Sequence, residues 1–200
     1  MVRCFFGCAV SASMIACGST SSSSKSAAAV SLQQLEGTYA DPVPYAYGEA
    51  FGHRTFVFGD GRWSLDFVLG LDPQLNAQVF RFRTHGEYEI LEASREVEGA
   101  FNAIFYEEQK LLTLLTDDTQ LIAAFGLEPC GLVTDKELDI SAEGCAGWRP
   151  VAECGGDHDL LMLTSDGGLR FGERPADNDM CTADRRPSSL TPAVERRSQD

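Results

Sequence analysis

Several signatures of familiar enzyme chemistry are missing from this chain of 200 residues. It has no Gly-x-Ser-x-Gly elbow, no phosphate-cradling glycine loop and no dinucleotide-type glycine pattern, so hydrolase and nucleotide chemistry have no recognisable seat. Histidine is scarce. His53, His85 and His158 are the only three, and none stands in a metal-binding spacing such as His-Glu-x-x-His. Basic residues are few as well: 16 Lys and Arg against 30 Asp and Glu, a formal charge of −14. Such a surface repels phosphate backbones and makes nucleic acid a poor partner. Long apolar runs are also lacking, since the stretch from Cys4 to Ala16 is too short to cross a bilayer as a helix.

What the chain does have is alternation. Phe56 and Phe58 are spaced by Thr55 and Val57, then Gly59-Asp60-Gly61 supplies the positive φ angles of a tight hairpin. Trp63, Leu65, Phe67 and Leu69 share one face of the next run. After Asp72-Pro73, Phe80 and Phe82 alternate with Arg81 and Arg83. His85-Gly86 turns the chain, and Tyr88 and Ile90 continue the pattern. Glu98-Gly99 opens another run in which Phe101, Ala103 and Phe105 share a face, and Gln109-Lys110 is a possible turn before Leu111 to Leu115. A period of two over consecutive short runs predicts amphipathic strands, and with no long helix between them neighbours pair antiparallel. The expectation is an all-β meander closing into a barrel, with 44% hydrophobic residues sufficient for one core.

The N-terminus predicts export. Met1-Val2-Arg3 and the apolar run to Ala16 have the size of a signal peptide (residues 1–16), and Met14-Ile15-Ala16-Cys17 resembles the lipobox of bacterial lipoproteins. That resemblance implies lipidation at Cys17, and Gly18 after it implies the outer membrane, facing the periplasm or the cell surface. The serine-rich residues 17–30 then read as a tether, and a cleaved signal with a disordered linker is the plainer alternative. With Cys4, Cys8 and Cys17 assigned to the leader and anchor, Cys130, Cys145, Cys154 and Cys181 remain. Four cysteines in an exported chain suggest two disulfides with three possible pairings, of which pairing sequence neighbours is preferred. A zinc site using His158 is the alternative, but the four lack a Cys-x-x-Cys spacing.

Residues 31–190 make up the expected barrel domain. Ser31 to Glu36 can form a turn of helix, and Thr116 to Phe125 is the one plausible short helix, capped by Thr116 or Asp117. Leu132 to Ile140 reads as a strand containing a Thr134-Asp135-Lys136 turn. Asp159 to Leu163 and Leu169 to Phe171 flank the hairpin signal Ser165-Asp166-Gly167-Gly168. Asp157-His158-Asp159 reads as a solvated loop before that strand, and residues 191–200 as a frayed tail. Asp177-Asn178-Asp179 has alternating oxygen ligands but lacks the glycine and distal glutamate of a calcium loop. Glu107 and Glu108, adjacent on a strand, point to opposite faces and are unsuited to joint acid–base work.

Leu35-Glu36-Gly37-Thr38-Tyr39 resembles the opening of lipocalin-like barrels, with Tyr39 where tryptophan is usual. Together with Arg54-Thr55-Phe56-Val57-Phe58, Gly86-Glu87-Tyr88-Glu89-Ile90, Cys130-Gly131, Cys145-Ala146-Gly147-Trp148, Leu169 to Pro175 and Arg186-Pro187-Ser188, it resembles the adenomatosis-polyposis-coli down-regulated domain. That family is secreted or membrane-tethered and includes Wnt antagonists. The resemblance, spanning about Leu32 to Leu190, implies a lipocalin-like barrel with an apolar pocket that can take a lipid. The candidate ligand wall is therefore Phe56, Phe58, Trp63, Phe67, Phe80, Phe82, Tyr88, Phe101 and Phe105, with Arg54, Arg81 or Arg83 available at the rim for a carboxylate or phosphate head. The expected function is a binding protein for a hydrophobic, lipid-like molecule, not an enzyme, with no cofactor and no metal. The alternative is a solid-core module that binds an envelope protein, because small barrels are often filled by side chains.

Overall fold

The computed structural model describes residues 26–198. The signal segment, the lipidation site at Cys17 and residues 17–25 of the tether lie outside the described residues. The alternating runs form an antiparallel sheet that is nearly closed into a barrel. In chain order the strands are β1 (Gly37–Ala40), β2 (Tyr45–Tyr47), β3 (Ala50–Gly59), β4 (Arg62–Gly70), β5 (Gln78–Ala93), β6 (Phe101–Tyr106), β7 (Gln109–Leu114), β8 (Glu137–Asp139), β9 (Gly156–Leu163), β10 (Leu169–Phe171) and β11 (Glu195–Arg196). Two short helices accompany them, α1 (Ala27–Gln33) and α2 (Thr119–Ala124). Asp60 (φ 53°) and Gly61 (φ 73°) make the two-residue turn between β3 and β4, the mirror-image geometry that matches strand twist. Phe56 then faces Leu65, Phe58 faces Trp63 and Phe67 faces Phe82 across neighbouring strands, so the apolar sets meet on one side.

The long strand β5 serves two neighbours on one edge. Phe80 to His85 pair with β7, and Tyr88 to Ala93 pair with β6. The chain does not turn at His85-Gly86 as expected but runs straight through in one strand; only the partner changes there, at Gly86, where an added Cβ would lie 2.1 Å from the Tyr106 carbonyl oxygen. The turn between β6 and β7 presses on the strand there, and no side chain fits. Gln109-Lys110 is thus already strand, and the turn is made by Glu107-Glu108.

Two apolar clusters fill the barrel at different levels. One gathers Tyr39, Phe58, Tyr88, Ile90 and Leu161 under α1, which closes that end with Ala29 and Leu32. The Tyr88 hydroxyl donates to the Leu32 carbonyl (3.0 Å) and accepts from the Leu35 N–H (3.1 Å), tying helix to sheet. The other gathers Leu69, Phe80, Phe82, Leu112 and Leu114 beneath the segment that carries α2 and Trp148.

Four further expectations change. Residues 27–30 belong to α1 instead of a tether: Ser26 caps the helix, accepting from the Ala29 N–H at 3.2 Å. An Ala-rich run can read as linker, but alanine is the best helix former and Ala29 and Leu32 are one turn apart. The second helix begins at Thr119 with Asp118 as cap, because the Leu115 N–H still bonds the Val79 carbonyl in the sheet (2.9 Å). The strand expected over Leu132 to Ile140 shrinks to Glu137–Asp139, with Asp135 (φ 61°) turning the chain before it. Residues 191–198 do not fray. Val194 is fully buried and exchanges hydrogen bonds with Leu169 in β10 (2.8 and 2.9 Å), while β11 pairs with β1. This segment stitches the two edges of the sheet together. Its sparse apolar content hid it, since only Val194 and Thr191 point inward.

The disulfides are Cys130–Cys145 and Cys154–Cys181, the sequence-neighbour pairing. Two disulfides in one domain point to folding in an oxidising, extracytoplasmic compartment.

Candidate functional site: a cavity with an aromatic and an acidic wall

Between the two clusters the barrel is hollow. The cavity measures about 680 Å³, within the roughly 300–1,000 Å³ of small-molecule sites. Its wall grows from the strand alternation. Phe56 on β3 stacks on Phe171 of β10 with centroids 4.0 Å apart, making the floor. The Trp63 indole donates to the Tyr106 carbonyl (3.0 Å) and meets Phe105 in a T-shaped contact, centroids 4.9 Å apart. At the mouth, the disulfide-held turn Cys145 to Trp148 closes on itself through paired backbone hydrogen bonds (2.8 and 2.9 Å). It delivers the Trp148 ring flat against Phe82 at 5.1 Å and edge-on to Phe80 at 5.2 Å.

Of the nine expected wall residues, Phe56, Trp63, Phe67, Phe80, Phe82 and Phe105 line the cavity. Phe58, Tyr88 and Phe101 do not. They point to the same side of the sheet but lie toward the end sealed by α1, where Phe58 packs on Tyr39 (5.9 Å) and Tyr88 (5.2 Å) and Phe101 packs against the same cluster. Period two assigns a face, not a depth along the barrel. Tyr45, Tyr47, Phe125, Trp148 and Phe171 also line the cavity. The alternation of Tyr45 and Tyr47 was a usable sign of the first two, whereas Trp148 is brought in by a disulfide loop that no periodicity marks.

The arginines also differ from expectation. Arg81 pairs with Asp66, and Arg83 with Glu137 at 2.5 Å, both on the outer face. Arg54 lines the cavity but is fully engaged: it binds Asp41 through Nη2 (2.7 Å) and Nε (3.0 Å), donates to the Thr191 hydroxyl (2.6 Å) and the Pro192 carbonyl (2.9 Å), and lies over the Tyr45 ring at 4.3 Å. Burial drives the Tyr45 phenol well above its ordinary pKa.

A cluster of acids also lines the cavity, beside its floor: Asp157 faces Phe105 across the β6–β9 pair, and Asp159 bonds the Gly172 N–H next to Phe171. Asp157 and Asp159, expected in a solvated loop, sit within β9 two residues apart and are buried, as is Glu107. Asp157 accepts from Arg174 Nη1 (2.6 Å), whose Nε bonds Asn178 (2.7 Å). Glu107 pairs with the sequestered Lys110 ammonium at 2.9 Å, which also donates to the carbonyls of Arg149 and Cys154 (3.0 Å each). Glu108 faces outward to Arg62 at 2.6 Å, so the two glutamates do lie on opposite sides. Burial, aided by the Asp157 charge, raises the Glu107 pKa. Burial pushes the Asp159 carboxyl up to about 7, against the pull of two backbone N–H donors. His158 projects to the other face of β9 beside Arg186, and its pKa is lowered by burial and then by that guanidinium. Near the rim, Asp177 pairs with Arg185 and Asp179 with Arg149. The chain thus builds a chamber of small-molecule size, lined by aromatic rings with buried acids beside its floor. No family model and no curated protein matches the chain, so the reading of this chamber rests on its own geometry.

Proposed function

We propose that the protein is an exported, membrane-tethered binding protein that holds a hydrophobic, lipid-like ligand inside its barrel. The observation that carries this reading is the aromatic-walled cavity of about 680 Å³ at the barrel centre. Burying an apolar body there gains about 25 cal/mol per Å² removed from water. The resemblance to the adenomatosis-polyposis-coli down-regulated domain supports a lipid-taking pocket, and the lipobox-like Met14 to Cys17 supports an outer-membrane anchor. The disulfides favour the periplasm or the cell surface. A solid-core interaction module has little support in an interior this empty.

Native mass spectrometry of gently purified protein tests the reading: a co-purifying lipid mass is expected. A clean apo mass, together with no binding of an uncharged fluorescent hydrophobic probe, would overturn it. Trp148→Ala removes a wall ring without cutting the sheet, and should weaken probe binding about tenfold.

A further inference from the structure

The charges around the cavity are not evenly satisfied. Arg54 is held by Asp41, Arg174 by Asp157 and Asn178, and Glu107 by Lys110. Asp159 makes no ion pair among the described residues, although Arg174 stands near enough to pull its pKa down. Its Oδ1 accepts the Leu160 N–H (2.6 Å) and the Gly172 N–H (2.9 Å), and its Oδ2 takes no hydrogen bond among the described residues. The side chain is only 6% exposed and forms part of the cavity wall. Gly172 presses on it so closely that an added Cβ would lie 2.4 Å from Oδ1, which fixes the carboxyl and leaves one oxygen for an occupant. The acidic lining side chains Glu49, Glu107, Asp157 and Asp159 outnumber the basic Arg54 and Arg174, and both arginines already bind carboxylates.

We propose that the cavity selects a cationic amphiphile, with its apolar body against the aromatic wall and an ammonium-type head against Asp159. This rests on the reading of the cavity as a ligand site and deepens it. A fatty acid, whose head would need a free arginine, is the disfavoured occupant. Electrostatics in a low-dielectric chamber make the distinction large: an ammonium gains a charge-assisted hydrogen bond to a carboxylate oxygen that no described residue hydrogen-bonds.

The pairing carries a proton balance. The empty Asp159 carboxyl, with its pKa near 7, is largely protonated under mildly acidic conditions, and seating an ammonium releases that proton to solvent. Affinity for an amine therefore rises with pH through neutrality, where alkylamines remain charged. Asp157 on its own strand and Arg174 after β10 act on Asp159 directly, and the other charged groups lining the cavity are Glu49, Arg54 (paired with Asp41) and Glu107 (paired with Lys110 of β7). Arg186 binds the Asp159 backbone carbonyl and stands beside His158 on the outer face. Glu107 titrates in the same sense, so the slope has to be assigned with a variant.

The test compares dodecylamine, dodecanol and dodecanoate, each below its aggregation threshold, on the purified protein. Trp63 and Trp148, the only tryptophans, both line the cavity and report binding by their fluorescence. At mildly alkaline pH the amine should bind about tenfold more tightly than the alcohol, the worth of one hydrogen bond to a charged group, and the carboxylate most weakly. Amine affinity should fall on acidification while alcohol affinity stays level. Asp159→Asn, which keeps the acceptor for both backbone N–H groups, should erase the amine preference and its pH slope and leave alcohol binding intact. Equal binding of amine and alcohol, tightest binding of the carboxylate, or an unchanged preference in Asp159→Asn would overturn the proposal while leaving a hydrophobic binding cavity in place. Failure of all three probes to bind would overturn both.

Discussion

A buried carboxyl group with no ion-pair partner among the described residues is a liability that the fold carries at Asp159. Its folded pKa, near 7, lies above the roughly 3.9 of an exposed aspartate. Between those two values the folded state holds a proton that the unfolded state has released, so this group lowers stability progressively as pH rises, and the whole cost is present above about 7. Below about 4 both states are protonated and the cost vanishes. Asp159→Asn is neutral at every pH and should therefore melt higher than the parent at pH 8, with the advantage shrinking toward pH 4. Thermal melts of the pair across that range measure it, and a constant offset would contradict the assignment. Six aromatic residues of the chamber, Phe56, Trp63, Phe67, Phe80, Phe82 and Phe105, were legible in the sequence because they recur at every second position of a strand run. Asp157 and Asp159 were not, because acids at every second position look like a solvated edge. Only the continuation of their alternation into Leu161 shows that they share an inward face.

Among the elements, β3 carries the most demanding polar contact. Arg54 and Asp41 are 5% and 1% exposed, and their guanidinium–carboxylate pair joins β3 to the C-terminal segment through Thr191 and Pro192. Removing one member strands a buried charge. Asp41→Ala should cost about 3–5 kcal/mol, read as a lowered urea midpoint. The paired change Asp41→Leu with Arg54→Met should recover much of that loss, since two apolar side chains leave no uncompensated charge. Hairpins were the most readable elements, their turns written in Asp60-Gly61 and Gly167-Gly168. Elements held by distant partners were the least readable. The start of α2 depends on a sheet hydrogen bond to Val79, and the short β8 depends on the edge that β7 offers.

At the scale of the molecule, the two disulfides stand on the cavity side of the barrel. Cys130–Cys145 braces the turn that presents Trp148, and Cys154–Cys181 ties the end of the loop before β9 to the strap that follows β10. Loops of 15 and 27 residues correspond to about 3 kcal/mol each in the chain-entropy account. Replacing Cys130 and Cys145 by serine should lower stability by about that amount and speed release of a bound probe in stopped-flow dilution, because the mouth loses its brace. The same double replacement at Cys154 and Cys181 should lower stability without that acceleration.

The stitch that joins β10 to β1 has a temporal side. Its Arg197 guanidinium reaches the Asp41 carbonyl across 156 positions of chain, and it follows every other strand in order. A polypeptide made from its N-terminus must therefore wait, with β1 bare along one edge, until almost all of it has been synthesised. During that interval the hollow stands open like an unzipped purse, and a chain stalled there offers its naked margin to any neighbour.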